Sequence, residues 1–205
     1  MMNKQSLRDM KREATAHALA DAAFELALER GLDGFVVDDI VQRAGYSRRT
    51  FANHYSCKEE AVAAAALSFK DVHEAEDLIA GMPDNLPPVD IMYQLMKMQL
   101  SAEILWKLRE LVSLSKRHPT LEPYILNVLR SSQNAAQEIL SELSHGRYPE
   151  GYTHLLAGAV YGAVLPLFDG SINVLLPGQS AEESPEAMTF DQYLDIMFGY
   201  LRKGF

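Results

Sequence analysis

The sequence has a single cysteine, Cys57, so no internal disulfide can staple the fold, and a reducing compartment such as the cytoplasm suits it. It has no uncharged apolar run of about 18 residues, the length a bilayer-spanning helix requires, so a membrane partner is not expected. The first residues, Met1-Met2-Asn3-Lys4-Gln5-Ser6, lack the apolar core of a secretory leader. Collagen-like, low-complexity and disulfide-rich compositions are all missing. The signatures of catalysis are missing too. There is no nucleophile elbow, no glycine-rich phosphate loop and no carboxylate pair at diagnostic spacing, so the chain is not expected to be an enzyme. His17, His73, His118, His145 and His154 form no pair at metal-ligand spacing on one face, and neither a metal nor another cofactor is expected. Nor is there an excess of positive charge: the formal net charge is −9. The deficit is uneven, however. Residues 1–60 hold nine basic and ten acidic side chains, and the remainder carries a net −8. A nearly neutral first third can still turn a local basic face toward phosphates.

What is present is hydrophobic residue, 48% of 205 positions, enough to bury one large core or two small ones. Its spacing is helical almost throughout. From Leu7 to Arg30 there is no proline or glycine, and Leu19, Ala23, Leu26 and Ala27 share a face that Ala16 and Arg30 continue. Gly31 stops that helix. Asp38–Ala44 reads as a short second helix with Ile40, Val41 and Ala44 inward, and Gly45 ends it. Ser47 caps a third helix, Arg48–Tyr55. Ser56 caps a fourth, with Glu59 at capping-box spacing, and this helix is expected to run toward Asp77. Residues 81–88 form a loop. A long apolar helix is expected over Val89–Arg117, a turn at Pro119 and Pro123, a helix over Tyr124–Leu143, another over Gly151–Asp169 bent by Pro166, a mobile loop over 170–188, and a last helix over Phe190–Arg202. Ser171–Leu176 is the sole strand candidate and has no evident partner. The expected fold is all-α.

The informative stretch is Asp38–Tyr55, which reads helix, tight turn, helix. Gly45 sits where the turn needs a backbone that tolerates positive φ, and Tyr46 is expected to pack the turn into the core. The second of these helices is too short to stand alone, so it must dock through Phe51 and Tyr55, four residues apart. Its other face carries Arg48, Arg49, Thr50 and Asn53, residue types that read base edges or grip phosphates.

The order Asp38-Asp39-Ile40-Val41, Ala44-Gly45-Tyr46-Ser47, Thr50-Phe51, His54-Tyr55, Lys58-Glu59, preceded by Ala22-Ala23-Phe24 and Arg30-Gly31-Leu32, resembles the TetR/AcrR family of helix-turn-helix transcriptional regulators over about residues 12–61. The resemblance implies an N-terminal three-helix DNA-binding domain, residues 1–57, followed by an antiparallel helical bundle, residues 58–205, for ligand binding and dimerisation. It implies that Arg48, Arg49 and Asn53 enter the major groove of double-stranded DNA, and that Thr50, His54 and Lys58 touch phosphates, with Ser47 and Tyr55 belonging to the same interface. Members usually bind an inverted repeat as homodimers, most often as repressors released by a small molecule. Two positions depart from the family pattern. Val36 replaces a threonine that would cap the second helix, and Ala52 replaces an aromatic; each loses a contact worth roughly 1 kcal/mol. An alternative reading, a helical ligand-binding or scaffold protein with weakened DNA binding, starts from these two positions.

In the bundle, Met92, Met96, Trp106, Tyr161 and Phe168 are candidates to line an effector cavity, although methionines and aromatics at helical spacing more often form core. The last helix has a broad apolar face, Phe190, Tyr193, Leu194, Met197, Phe198 and Leu201, and Gly151–Asp169 carries the small residues Gly158, Ala159, Gly162 and Ala163. The resemblance implies that these two helices meet their mates in a dimer.

Overall fold

A computed structural model describes residues 7–67, 80–83, 85–177, 179 and 186–204. The expected extension of the fourth helix toward Asp77 lies outside them. The described elements are α1 (Leu7–Arg30), α2 (Val37–Ala44), α3 (Arg48–Ala52), α4 (Lys58–Ala64), α5 (Pro88–Gln99), α6 (Ala102–Arg117), α7 (Glu122–Leu143), α8 (Glu150–Asp169), β1 (Val174–Leu175), β2 (Met188–Thr189) and α9 (Phe190–Lys203), with 3-10 turns at Leu32–Gly34, Ala65–Leu67 and Pro119–Leu121. The described residues are all-α apart from that pair of two-residue strands.

Packing divides it into two units. The first draws on the described residues up to 67 and on 110–128; the second draws on those of 80–109 and 129–204. In the first unit α1 is the central rod. Its face Leu19, Ala23, Phe24, Leu26 and Ala27 is buried, with α2 and α4 packed on the helix; Ile40 of α2, Phe51 of α3 and Ala61, Val62 and Ala63 of α4 are buried too. Small alanines on both α1 and α4 let those helices lie close, which is why α4 and the 3-10 turn after it pack with the N-terminal helices. The turn at Pro119–Leu121 also rests on α4.

The second unit is built on α5, the first half of α6, most of α7, α8 and α9. Met92, Leu95 and Met96 of α5, Val160, Val164 and Leu167 of α8, and Leu194 and Phe198 of α9 are all buried. A polar seam crosses the α5–α9 surface. Tyr93 donates to Asp195 Oδ1 at 2.6 Å, and its ring carries the Lys97 ammonium and the Arg202 guanidinium at 5.4 and 5.1 Å. Arg202 in turn pairs with Asp90 at 2.8 Å.

Four sequence expectations are corrected. The helix expected over Val89–Arg117 is two helices, broken at Leu100 (φ −89°, ψ 58°), because Ser101 starts α6 by accepting the N–H of Ile104 on its hydroxyl at 3.3 Å. The third helix ends at Ala52, and Asn53 and His54 turn back on it. The cap of α4 is Cys57, whose Sγ accepts the N–H of Glu60 at 3.4 Å. Ser56 instead donates its N–H and its hydroxyl to the Glu60 carboxylate at 2.7 and 2.6 Å, so the reaching residue is Glu60, one step beyond Glu59. Finally, the strand candidate near Val174 does have a partner: Val174 and Leu175 pair in parallel with Met188 and Thr189.

Candidate nucleic-acid interface

The interface is assembled from α1, α2 and α3. The turn between α2 and α3 is made by Gly45, whose left-handed backbone (φ 74°) would strain any side chain. It closes α2 by bringing the N–H of Tyr46 to the carbonyl of Val41 at 2.9 Å. Tyr46 itself is 39% exposed and does not pack into the core, contrary to the sequence expectation; glycine geometry, not an aromatic anchor, sets the turn. Val36 starts α2 without a side-chain acceptor, as its chemistry dictates. Asp39 compensates in part by accepting the Val36 N–H on its carboxylate at 2.9 Å. Arg43 ties α2 to α1 through a two-pronged pair with Glu29 at 2.7 and 2.6 Å, and this partner holds the Glu29 carboxyl below its usual range.

Helix α3 is only five residues long and is held at both ends. Ser47 caps it, accepting the N–H of Thr50 at 3.1 Å, and the two hydroxyls lie 2.9 Å apart. Phe51, 3% exposed, is the anchor, with its ring centroid 5.8 Å from that of Tyr55. Tyr55 then donates its hydroxyl to the carbonyl of Ala16 on α1 at 2.9 Å, and burial pushes its pKa up to about 12. A bond of this kind contributes roughly 1 kcal/mol and ties the segment after α3 to α1. Phe51 and Tyr55 are therefore inward, as expected from their spacing.

The outward side chains fall into three groups. Arg49 is exposed, and no ion pair engages it among the described residues. Arg48 is exposed as well, but Asp38 of α2 grips it: Nε and Nη2 both donate to that carboxylate, the second at 2.5 Å. Thr50, Asn53 and His54 line a groove whose opposite wall is Arg8, Asp9, Lys11, Arg12 and Thr15 of α1. Desolvation, followed by the nearby Arg12 charge, lowers the pKa of His54, so its imidazole is neutral at pH 7.

Lys58 sits differently from the others. Its ammonium donates to the carbonyls of Leu32 at 2.6 Å and Phe35 at 3.0 Å and lies 5.1 Å from the Phe35 ring. It closes the loop between α1 and α2 and has two of its three donors engaged there. Sequence reasoning missed the wall contributed by Arg8, Lys11, Arg12 and Thr15. The signal was available: positions 8, 11, 12 and 15 share one face of a helix.

The candidate effector residues lie in the second unit. Met92 and Met96 are 0% and 1% exposed and Phe168 is 5% exposed, all packed in its core. Tyr161 is half-buried and donates to Gln99 Oε1 at 3.2 Å and to the Ser132 carbonyl at 3.0 Å, and burial raises its pKa. Trp106 is 47% exposed. The structure thus brings Thr50, Asn53 and His54 to one groove and leaves Arg49 exposed, while the five bundle candidates are divided between core and exterior.

A capped short helix, docked by two aromatics after a glycine turn and presenting cations and amides outward, defines the N-terminal unit as a helix-turn-helix module. Residues 19–65 match the model for bacterial regulatory proteins, tetR family. The chain is 37% identical over 57 residues to the uncharacterized HTH-type transcriptional regulator YwcC of Bacillus subtilis (strain 168), a match spanning 28% of this chain and 26% of that protein. A solved structure of a candidate TetR-family transcriptional regulator from Mesorhizobium loti MAFF303099 aligns over 94% of this chain and 97% of its own, with a TM-score of 0.50 and 18% identity, and shares the fold.

Proposed function

We propose that the protein is a DNA-binding transcriptional regulator, working in the cytoplasm as a homodimer on an inverted repeat, and that it is a repressor released by a small apolar effector. The observation that carries the reading is the convergence of Thr50, Asn53 and His54 with Arg8, Lys11, Arg12 and Thr15 around one groove, beside the exposed Arg49. On the α1 wall three cations and one hydroxyl outweigh the Asp9 carboxylate and suit the phosphate backbone, and an arginine and an amide suit base edges. The overall negative charge is no obstacle, because affinity depends on this local face. Measured against random-sequence duplex, affinity falls steeply as salt rises, since each neutralised phosphate releases counterions. A folded protein whose DNA affinity is negligible or insensitive to salt contradicts the reading.

His54 makes the binding pH-dependent. Its lowered pKa means that folding favours the neutral ring, so this contribution to stability is present above about pH 6.5 and is lost as pH falls through the lowered value. A phosphate in the groove favours the charged ring, so DNA binding takes up a proton. Affinity is therefore expected to rise as pH falls from 7.5 to 6, while stability of the free protein drops. In His54→Gln both slopes flatten; an unchanged affinity slope would remove His54 from the phosphate contacts.

Dimerisation is proposed through α8 and α9, but not through the face the sequence favoured. Phe190, Leu194, Met197 and Phe198 are already buried within their own unit, and Tyr193 donates to the Ala163 carbonyl at 2.6 Å. What stays open is Tyr152, Leu155 and Leu165 on α8, 39%, 72% and 43% exposed, and Ile196 and Tyr200 on α9, 47% and 62% exposed. Gly162 faces open space between them in sequence. Contrary to the sequence expectation, helix α8 does have the length and composition to cross a bilayer, residues 151–168 carrying no Asp, Glu, Lys or Arg; 39% of its apolar window is buried in the fold, and the exposed remainder suits a second copy. Leu155→Glu combined with Tyr200→Glu is expected to give monomers in sedimentation; a dimer that persists would place the interface elsewhere. For the effector, Met92, Met96, Trp106, Tyr161 and Phe168 are the proposed contacts, and their largely apolar side chains suit an apolar molecule.

A further inference from the structure

We propose that Asp38 is a specificity-determining positioning residue: it fixes the guanidinium of Arg48 so that one two-donor edge is presented to a guanine in each half-site. The inference rests on the DNA-binding reading above. A guanidinium has a fixed planar fork of five N–H donors. In this protein Arg48 gives one edge, Nε and Nη2, to the two oxygens of the Asp38 carboxylate. The edge between Nη1 and Nη2 is left, with two parallel donors, and that is the geometry which matches the O6 and N7 acceptors of guanine in the major groove. Both oxygens of Asp38 are occupied by Arg48, so Asp38 acts through the arginine rather than on a base.

Exposure supports a role in orientation over one in folding. The side chains of Arg48 and Asp38 are 69% and 58% exposed, and an ion pair this wet adds little to stability. The pair does span two helices, ten residues apart, and so ties the reading side chain of α3 to the frame of α2. A free arginine would have to lose rotamer freedom on binding each base; one already clamped loses less. Each partner also sharpens the other's charge state: the pair holds the Asp38 carboxyl below its ordinary range, so the clamp persists across neutral pH. Arg49, without such a partner, is left to adapt to base or phosphate.

The test uses the full-length chain and its selected duplex site. Affinity is measured for that site and for variants with the guanine of each half-site replaced, in wild type, Asp38→Asn, Arg48→Ala and the double variant. Asp38→Asn is expected to lower discrimination at that guanine about tenfold or more while affinity for random duplex is unchanged or higher, since a carboxylate facing DNA has been removed. In the Arg48→Ala background, Asp38→Asn should do nothing further to discrimination. Full discrimination in Asp38→Asn, or an equal loss with and without Arg48, overturns the inference and leaves the regulator reading standing. A site selected without any dependence on Arg48 overturns it as well. Absence of any selected site overturns both.

Discussion

Arg49→Ala is expected to cost on the order of ten- to a hundredfold in affinity for each half-site, so that a dimer loses sequence-specific binding almost entirely. The size follows from position and availability. Arg49 sits in the first turn of α3, is exposed, and no ion pair engages it among the described residues. Among the described residues its donors are therefore free to meet DNA. For the same reason the substitution should leave folding almost untouched, within about 0.5 kcal/mol, because it removes neither burial nor a structural bond. Titrating wild type and Arg49→Ala against the selected duplex, with thermal melts of both, checks the two halves together. Unchanged affinity would show that the reading surface lies elsewhere.

Phe51→Ala should act through the opposite route. Phe51 is 3% exposed and is the principal apolar contact of a helix only five residues long. A helix that short has no stability of its own, so its order is borrowed from docking. Truncating a buried phenylalanine costs about 3–5 kcal/mol, a large share of the roughly 5–15 kcal/mol that holds a domain together. The expected result is a lower melting temperature, faster proteolysis near Arg48 and Arg49, and loss of DNA binding even though every outward side chain is still present. A melting temperature within a degree of wild type would mean that α3 is held by something other than this aromatic.

The two substitutions also mark which parts of the molecule could be read from sequence. Phe51 and Tyr55 were legible because a four-residue spacing puts them on one face, and Gly45 because positive φ has few other bearers. Arg49 was legible for what surrounds it. Its neighbour Arg48 was legible only as a residue type, since the Asp38 that grips it lies on another helix and only the turn geometry brings them together. Lys58 shows the same limit: the carbonyls of Leu32 and Phe35 that engage it are more than twenty positions earlier. In the second unit the break at Leu100 carries no proline or glycine, and it depends on Ser101 capping α6, a competition that periodicity alone does not weigh. The strand around Val174–Leu175 was legible, but its parallel partner Met188–Thr189 is too short to leave a strand signature. The apolar face of α9 was correctly identified as apolar, but spacing cannot tell a face buried in its own chain from one that meets a second copy; Ile196 and Tyr200 become visible only after the core has been filled.

The most direct test of the central claim is a selection of random duplex DNA on the purified full-length protein, repeated with Arg49→Ala. The account requires an enriched inverted repeat with its half-sites about one helical turn apart, salt-dependent affinity for the winner, and loss of enrichment in the variant. A folded, dimeric wild-type protein that enriches no sequence, or one whose enriched site survives Arg49→Ala unchanged, would contradict it.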